Sequence, residues 1–104
     1  EKELYKADLS KAQTQIQQYQ KQNQLELNKS YRQVLDADNK VSLTKLSWEQ
    51  SAEAYRIRKN RYNQGLEKSS DLLSAETMMS QKELEHQQSI FEYNSALEYY
   101  KFLR

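Results

Sequence analysis

A single glycine, Gly65, is the only strong breaker in 104 residues, and proline is absent. A many-stranded sheet, a dinucleotide-binding unit or a loop-built active site needs more turns than such a chain can supply. The length limits the chain to one ordinary domain at most. Gly65 lies in Arg61-Tyr62-Asn63-Gln64-Gly65-Leu66-Glu67-Lys68-Ser69-Ser70-Asp71, which holds both a helix stop and a helix start. Asn63 or Gly65 can adopt the left-handed conformation that ends a helix, and Ser69 or Ser70 can cap the next one. Asp71 then falls in a first turn, where the helix dipole favours a carboxylate. The sequence therefore predicts an all-α chain: one helix over about residues 1–62, a turn at about 63–69, and a second helix over about 70–103.

Hydrophobic spacing says how the helices meet. Upstream of the turn, Leu27, Val34, Val41, Trp48, Tyr55 and Tyr62 recur every seven residues, with Ser30, Ala37, Thr44, Ser51 and Arg58 between them. Downstream, Leu72, Met79, His86, Tyr93 and Tyr100 keep the same period, interleaved with Ala75, Lys82, Ser89, Ala96 and Leu103. A sustained heptad keeps one seam against a partner, and the small residues in it allow close approach. Two such helices joined by a short turn form an antiparallel coiled-coil hairpin, with Trp48 near Met79 to His86. At about 1.5 Å per residue the first helix is far longer than the second, so roughly the first 27 residues overhang. The overhang is rich in Gln, with Leu9, Ile16 and Tyr19 as its main apolar residues, and is expected to fray or to pair with another copy. Leu35, Leu43, Leu46 and Ile57 lie off the first seam, and Leu73, Leu84, Ile90, Phe91 and Leu97 off the second, which calls for neighbours on further sides. The chain is expected to be a piece of something longer.

Sixteen basic and fifteen acidic residues leave no net field to gather nucleic acid. No cysteine is present to form a disulfide, a thiolate metal site or a nucleophile. His86, the one histidine, has Ser89 and Ile90 where metal ligands would stand, so a packing or hydrogen-bonding role is expected. Glu83 and Glu85 point to different sides of a helix and make no carboxylate pair. No phosphate loop, nucleophile elbow or zinc spacing occurs, so neither an enzyme nor a cofactor or metal site is expected. Six of the eight tyrosines fall at or near seam spacing, where packing with a wet hydroxyl is their expected use. The cluster Arg56, Arg58, Lys59 and Arg61 suits the negative end of the first helix dipole. A ligand-binding bundle built on His86 and its neighbouring tyrosines is the remaining small-molecule reading.

Three strings together resemble a known pattern: Arg61-Tyr62-Asn63-Gln64-Gly65-Leu66, then Asp71-Leu72-Leu73-Ser74-Ala75, then Tyr93-Asn94-Ser95-Ala96-Leu97. Over roughly residues 55–104 they are similar to the last helical hairpin of the outer membrane efflux protein (TolC-like) family. The resemblance implies a homotrimeric outer-membrane duct with a helical tunnel in the periplasm, this segment being one of its hairpins. Membrane contact would come only through parts outside this segment. The turn would meet a periplasmic adaptor (membrane fusion) protein, itself coupled to an inner-membrane transporter, and the duct would be a passive export conduit. By position, Tyr62 and Asp71 match residues at the periplasmic entrance, and Gly65 and Leu66 match the adaptor-contact tip. Three positions depart from the pattern. Glu67 stands where an Arg links neighbouring hairpins in TolC, Ser74 where a second Asp stands, and Lys68 where many relatives have Ser. A scaffolding coiled-coil hairpin that docks a protein partner, with no membrane role, is the alternative.

Overall fold

The computed structural model describes residues 2–104. Helix α1 runs Lys2–Asn63 and helix α2 runs Ser69–Leu103. They fold back on each other into an antiparallel hairpin measuring 94 × 17 × 14 Å, and no strand occurs among the described residues. The all-α hairpin read from the heptads is thus the fold.

The shielded positions follow the two seven-residue stripes. On α1, Leu27, Val34, Ala37, Val41, Thr44, Trp48, Ser51 and Tyr55 are half-buried and Ser30 is buried. On α2, Leu72, Ala75, Met79, Lys82, Tyr93, Ala96, Tyr100 and Leu103 are half-buried, and His86 and Ser89 are buried. Arg58 and Tyr62 depart from the expected seam, because both are exposed. They lie in the last turns of α1, where α2 has only just begun and offers little to cover them. Only Tyr55, Tyr93 and Tyr100 of the eight tyrosines are half-buried, fewer than the spacing predicts. Tyr31 still reaches across the helices, its ring centroid 5.8 Å from that of Tyr100.

Among the described residues no apolar side chain is fully buried, since a two-helix seam is covered from one side only. The deepest side chains are instead small and polar: Ser89 is 1% exposed and Ser30 2%. A serine at such a level lets the backbones close on each other, and the large residue one layer away fills the widened gap.

The middle of the seam is a polar crossing. Thr44 Oγ1 lies 2.8 Å from Ser89 Oγ and 3.2 Å from His86 Nδ1, and Ser89 Oγ lies 2.6 Å from the His86 carbonyl oxygen. Thr44 Oγ1 also lies 2.8 Å from the Lys40 carbonyl oxygen, so its one proton is shared between that oxygen and Ser89; in this run His86 Nδ1–H donates to Thr44 and Ser89 donates to the His86 carbonyl. This run needs the tautomer with the proton on Nδ1. The Trp48 indole packs against the imidazole, with centroids 5.6 Å apart and an interplanar angle of 32°. Trp48 therefore sits against His86, at the level its distance from the turn predicts. These contacts give His86 the packing and hydrogen-bonding role expected of it. An outlying Lys40–Glu92 ion pair, at 3.0 Å and exposed, adds a few tenths of a kcal/mol at most.

Outside the seam the apolar surplus is open to solvent. Leu35, Leu43, Leu46 and Ile57 on α1 are exposed, as are Leu73, Leu84, Ile90 and Phe91 on α2, with Phe91 at 72%. Leu97 is the exception and is half-buried. Every described residue before Leu27 is exposed, so the overhang has the extent its length predicts. No helix among the described residues is long and apolar enough to cross a membrane.

Candidate functional site

The hairpin tip is built by hydrogen bonds that leave its side chains free. The Gly65 N–H donates to the Tyr62 carbonyl at 2.9 Å, and the Leu66 N–H donates to the Arg61 carbonyl at 2.8 Å. This paired closure is a Schellman motif, which requires a left-handed residue at its centre. Gly65 supplies it with φ of 76°, and Asn63, the other candidate, stays helical. A Cβ at Gly65 would meet nothing within 4 Å, so backbone conformation alone resists substitution there.

A Schellman motif commonly places the residue after its glycine against an apolar side chain in the last turn of the helix. Here the residue is Leu66 and the facing positions are Arg61 and Asn60, which offer no apolar contact. Leu66 is accordingly 65% exposed. Tyr62, one turn earlier, is exposed beside it, so the turn presents an aromatic and an aliphatic side chain together at the end of the rod.

Neither Ser69 nor Ser70 caps α2. Lys68 holds the N-cap position with extended backbone and no side-chain cap bond, and its carbonyl already accepts the N–H groups of Asp71 at 3.2 Å and Leu72 at 3.1 Å. The helix starts one residue too early for Ser69 to cap it and two too early for Ser70. Asp71 does fall in the first turn, as expected, and supplies negative charge to the uncapped end.

Glu67 is the tip residue that sequence reading missed. Its carboxylate meets Arg58 Nη1 at 2.7 Å and Arg61 Nε at 3.3 Å, and its side chain is only 10% exposed. The clasp ties the turn back onto α1 and fixes the direction in which Leu66 points. Two arginines three apart before the glycine, with one acid just after it, were the available signal. The basic cluster thus does more than sit at a dipole end. Its remaining arginine, Arg56, bonds Glu53 at 2.6 Å, which holds that carboxyl below the usual range and Arg56 above it. Glu67→Ala should lower the melting midpoint of the hairpin by a few degrees, about 1 kcal/mol, in a thermal scan followed by circular dichroism. An unchanged midpoint would mean that the clasp does not hold the turn.

Asp71 lies apart from the other three sequence-predicted residues. It borders a groove of about 290 Å³ between the helices, with Ser51, Ala54 and Arg58 on α1 and Ser74, Ala75 and Met78 on α2. Tyr62 does not line that groove. Tyr62, Gly65 and Leu66 are therefore gathered in one turn, and Asp71 opens onto a neighbouring surface with Arg58. No family model, curated protein or solved structure matches the chain.

Proposed function

We propose that the chain is the periplasmic coiled-coil hairpin of a trimeric outer-membrane efflux or secretion duct, and that its turn docks an adaptor protein. The observation that carries this reading is Leu66. A backbone motif holds it rigidly at the end of a long rod, it is mostly solvated, and no side chain of its own chain covers it. Exposed apolar residues fixed in this way are unfavourable unless a partner takes them up. Two further features support the reading. The strings around Gly65, Asp71 and Tyr93 keep the spacing of the TolC-like family, and apolar side chains are open on both helices, as a tunnel wall with neighbours on two sides requires.

In such a duct the adaptor connects the tip to an inner-membrane transporter, which delivers the cargo, and the hairpin does no bond chemistry. Threefold symmetry would bring three copies of Asp71 to the periplasmic entrance. A ring of three carboxylates attracts cations and resists closer approach. Asp71→Asn removes that charge at little steric change. It should weaken cation block of the purified trimer in single-channel recording by roughly tenfold, about 1.4 kcal/mol, while adaptor cross-linking persists. Unaltered cation sensitivity would remove Asp71 from the entrance.

A further inference from the structure

The overhang has an apolar stripe of its own, which shares one line with the seam that meets α2 and turns its other line away from it. Tyr5, Leu9, Ala12, Ile16, Tyr19 and Asn23 follow one another at alternating spacings of four and three, and all are exposed. Leu9, Ile16 and Asn23 continue the line of Ser30, Ala37 and Thr44 in the hairpin, and Tyr5, Ala12 and Tyr19 lie on one side of it. A four-three stripe of this length marks a helix surface built for a second helix. The end of α2 reaches only the level of Leu27 and Ser30, so it cannot be that helix.

We infer that the occupant is a second copy of this chain, laid antiparallel across the stripe with a two-fold axis near its middle. The stripe is self-complementary in that orientation. Leu9 meets Tyr19 of the partner, Ala12 meets its Ile16, and Tyr5 meets its Asn23, each layer occurring twice by symmetry. Small faces large at the centre, with Ala12 against Ile16. Charge selects the same orientation. Lys2 and Glu26, at the two ends of the stripe, come opposite each other across the copies, whereas a parallel pair would set Lys2 against Lys2 and Glu26 against Glu26. The flanks between them carry Lys6, Asp8, Gln13, Gln15, Gln20 and Gln22; in the antiparallel pair Lys6 falls opposite the partner's Gln22 and Asp8 opposite the partner's Gln20, so no like charges meet. The resulting rod would hold two hairpin tips at opposite ends. The pairing goes beyond the duct reading, and an assembly that fills the stripe with another helix displaces the second copy.

The test is sedimentation equilibrium of the 104-residue chain with thiol cross-linking, in a background that holds no native cysteine. A reversible monomer–dimer equilibrium is expected. The double variant Leu9→Glu/Ile16→Glu should raise its dissociation constant on the order of a hundredfold, because four apolar contacts are lost in the symmetric pair. Circular dichroism and Trp48 fluorescence should remain those of the hairpin. Mixed Leu9→Cys and Tyr19→Cys chains should join through a short bis-maleimide, while either chain alone should not, its own thiols lying ten residues apart along the pair, about 15 Å. A monomer at every concentration would overturn the inference. So would efficient self-linking of Leu9→Cys chains, which reports a parallel pair, or a dimer untouched by the double variant, which reports pairing through another face such as that around Phe91.

Discussion

Gly65→Val and Leu66→Asp are each expected to abolish export by the protein that carries this hairpin, without loss of expression or trimer assembly. The two changes act by different routes. Gly65 holds φ of 76°, where an L-residue is disfavoured by about 1–2 kcal/mol and a β-branched one by more. Valine there shifts the backbone, opens the Leu66–Arg61 hydrogen bond and re-aims the tip. Leu66→Asp leaves the backbone alone. With its side chain already mostly in water, the substitution should change stability by less than about 0.5 kcal/mol, yet it puts a charge on the apolar knob that the proposed docking uses. Leu66→Met, which keeps the knob, should retain export. Neither residue lies in the seam, so an export assay beside adaptor cross-linking separates docking from folding. Normal export and normal cross-linking in both variants would remove the tip from the transport path.

The largest effect on folding is expected at Ser89. Leucine at a position only 1% exposed must push the helices apart where Ser89 meets Thr44. Ser89→Leu also breaks the run through Thr44 and His86. A loss of about 2–3 kcal/mol is expected from overpacking, whereas Ser89→Ala, which removes a hydroxyl and adds nothing, should lose about 1 kcal/mol. The order matters more than either value. A seam driven simply by hydrophobic area would be strengthened by leucine, and a close-packed seam is weakened. Thermal unfolding by circular dichroism, with Trp48 emission as a local reporter against His86, distinguishes the two.

Periodicity revealed the fold because it carries long-range information here. The step of seven between Leu27 and Tyr55, and again between Leu72 and Tyr100, together with the residues interleaved three further on, names most of the shielded positions before any contact is known. Gly65 locates the turn for a similar reason, since no other residue in the chain relieves a left-handed backbone so cheaply. Failures came where an outcome depends on which atoms meet across the turn. Ser69 and Ser70 have the chemistry of caps, but the carbonyl of Lys68 took the first helical bonds. Glu67 reads as one more surface acid until the turn folds it onto Arg58 and Arg61. Thr44, His86 and Ser89 each fit a heptad, and their convergence into one hydrogen-bonded crossing depends on the register between helices, which spacing leaves open by a residue or two. At the tip, Leu66 was legible as an exposed knob because a hairpin turn has no core behind it. That Asp71 opens onto a groove with Arg58, away from Tyr62, was not legible.

In the proposed duct, Leu66 touches an adaptor. A photo-reactive amino acid placed at position 66 of the full-length protein, irradiated in living cells, reads that contact directly. A covalent product between the hairpin and a periplasmic adaptor is expected, with no such product from position 43, an equally exposed leucine far from the turn. Efficient export without an adaptor product at position 66, or equal yields from both positions, would contradict it and leave the scaffolding hairpin as the better reading.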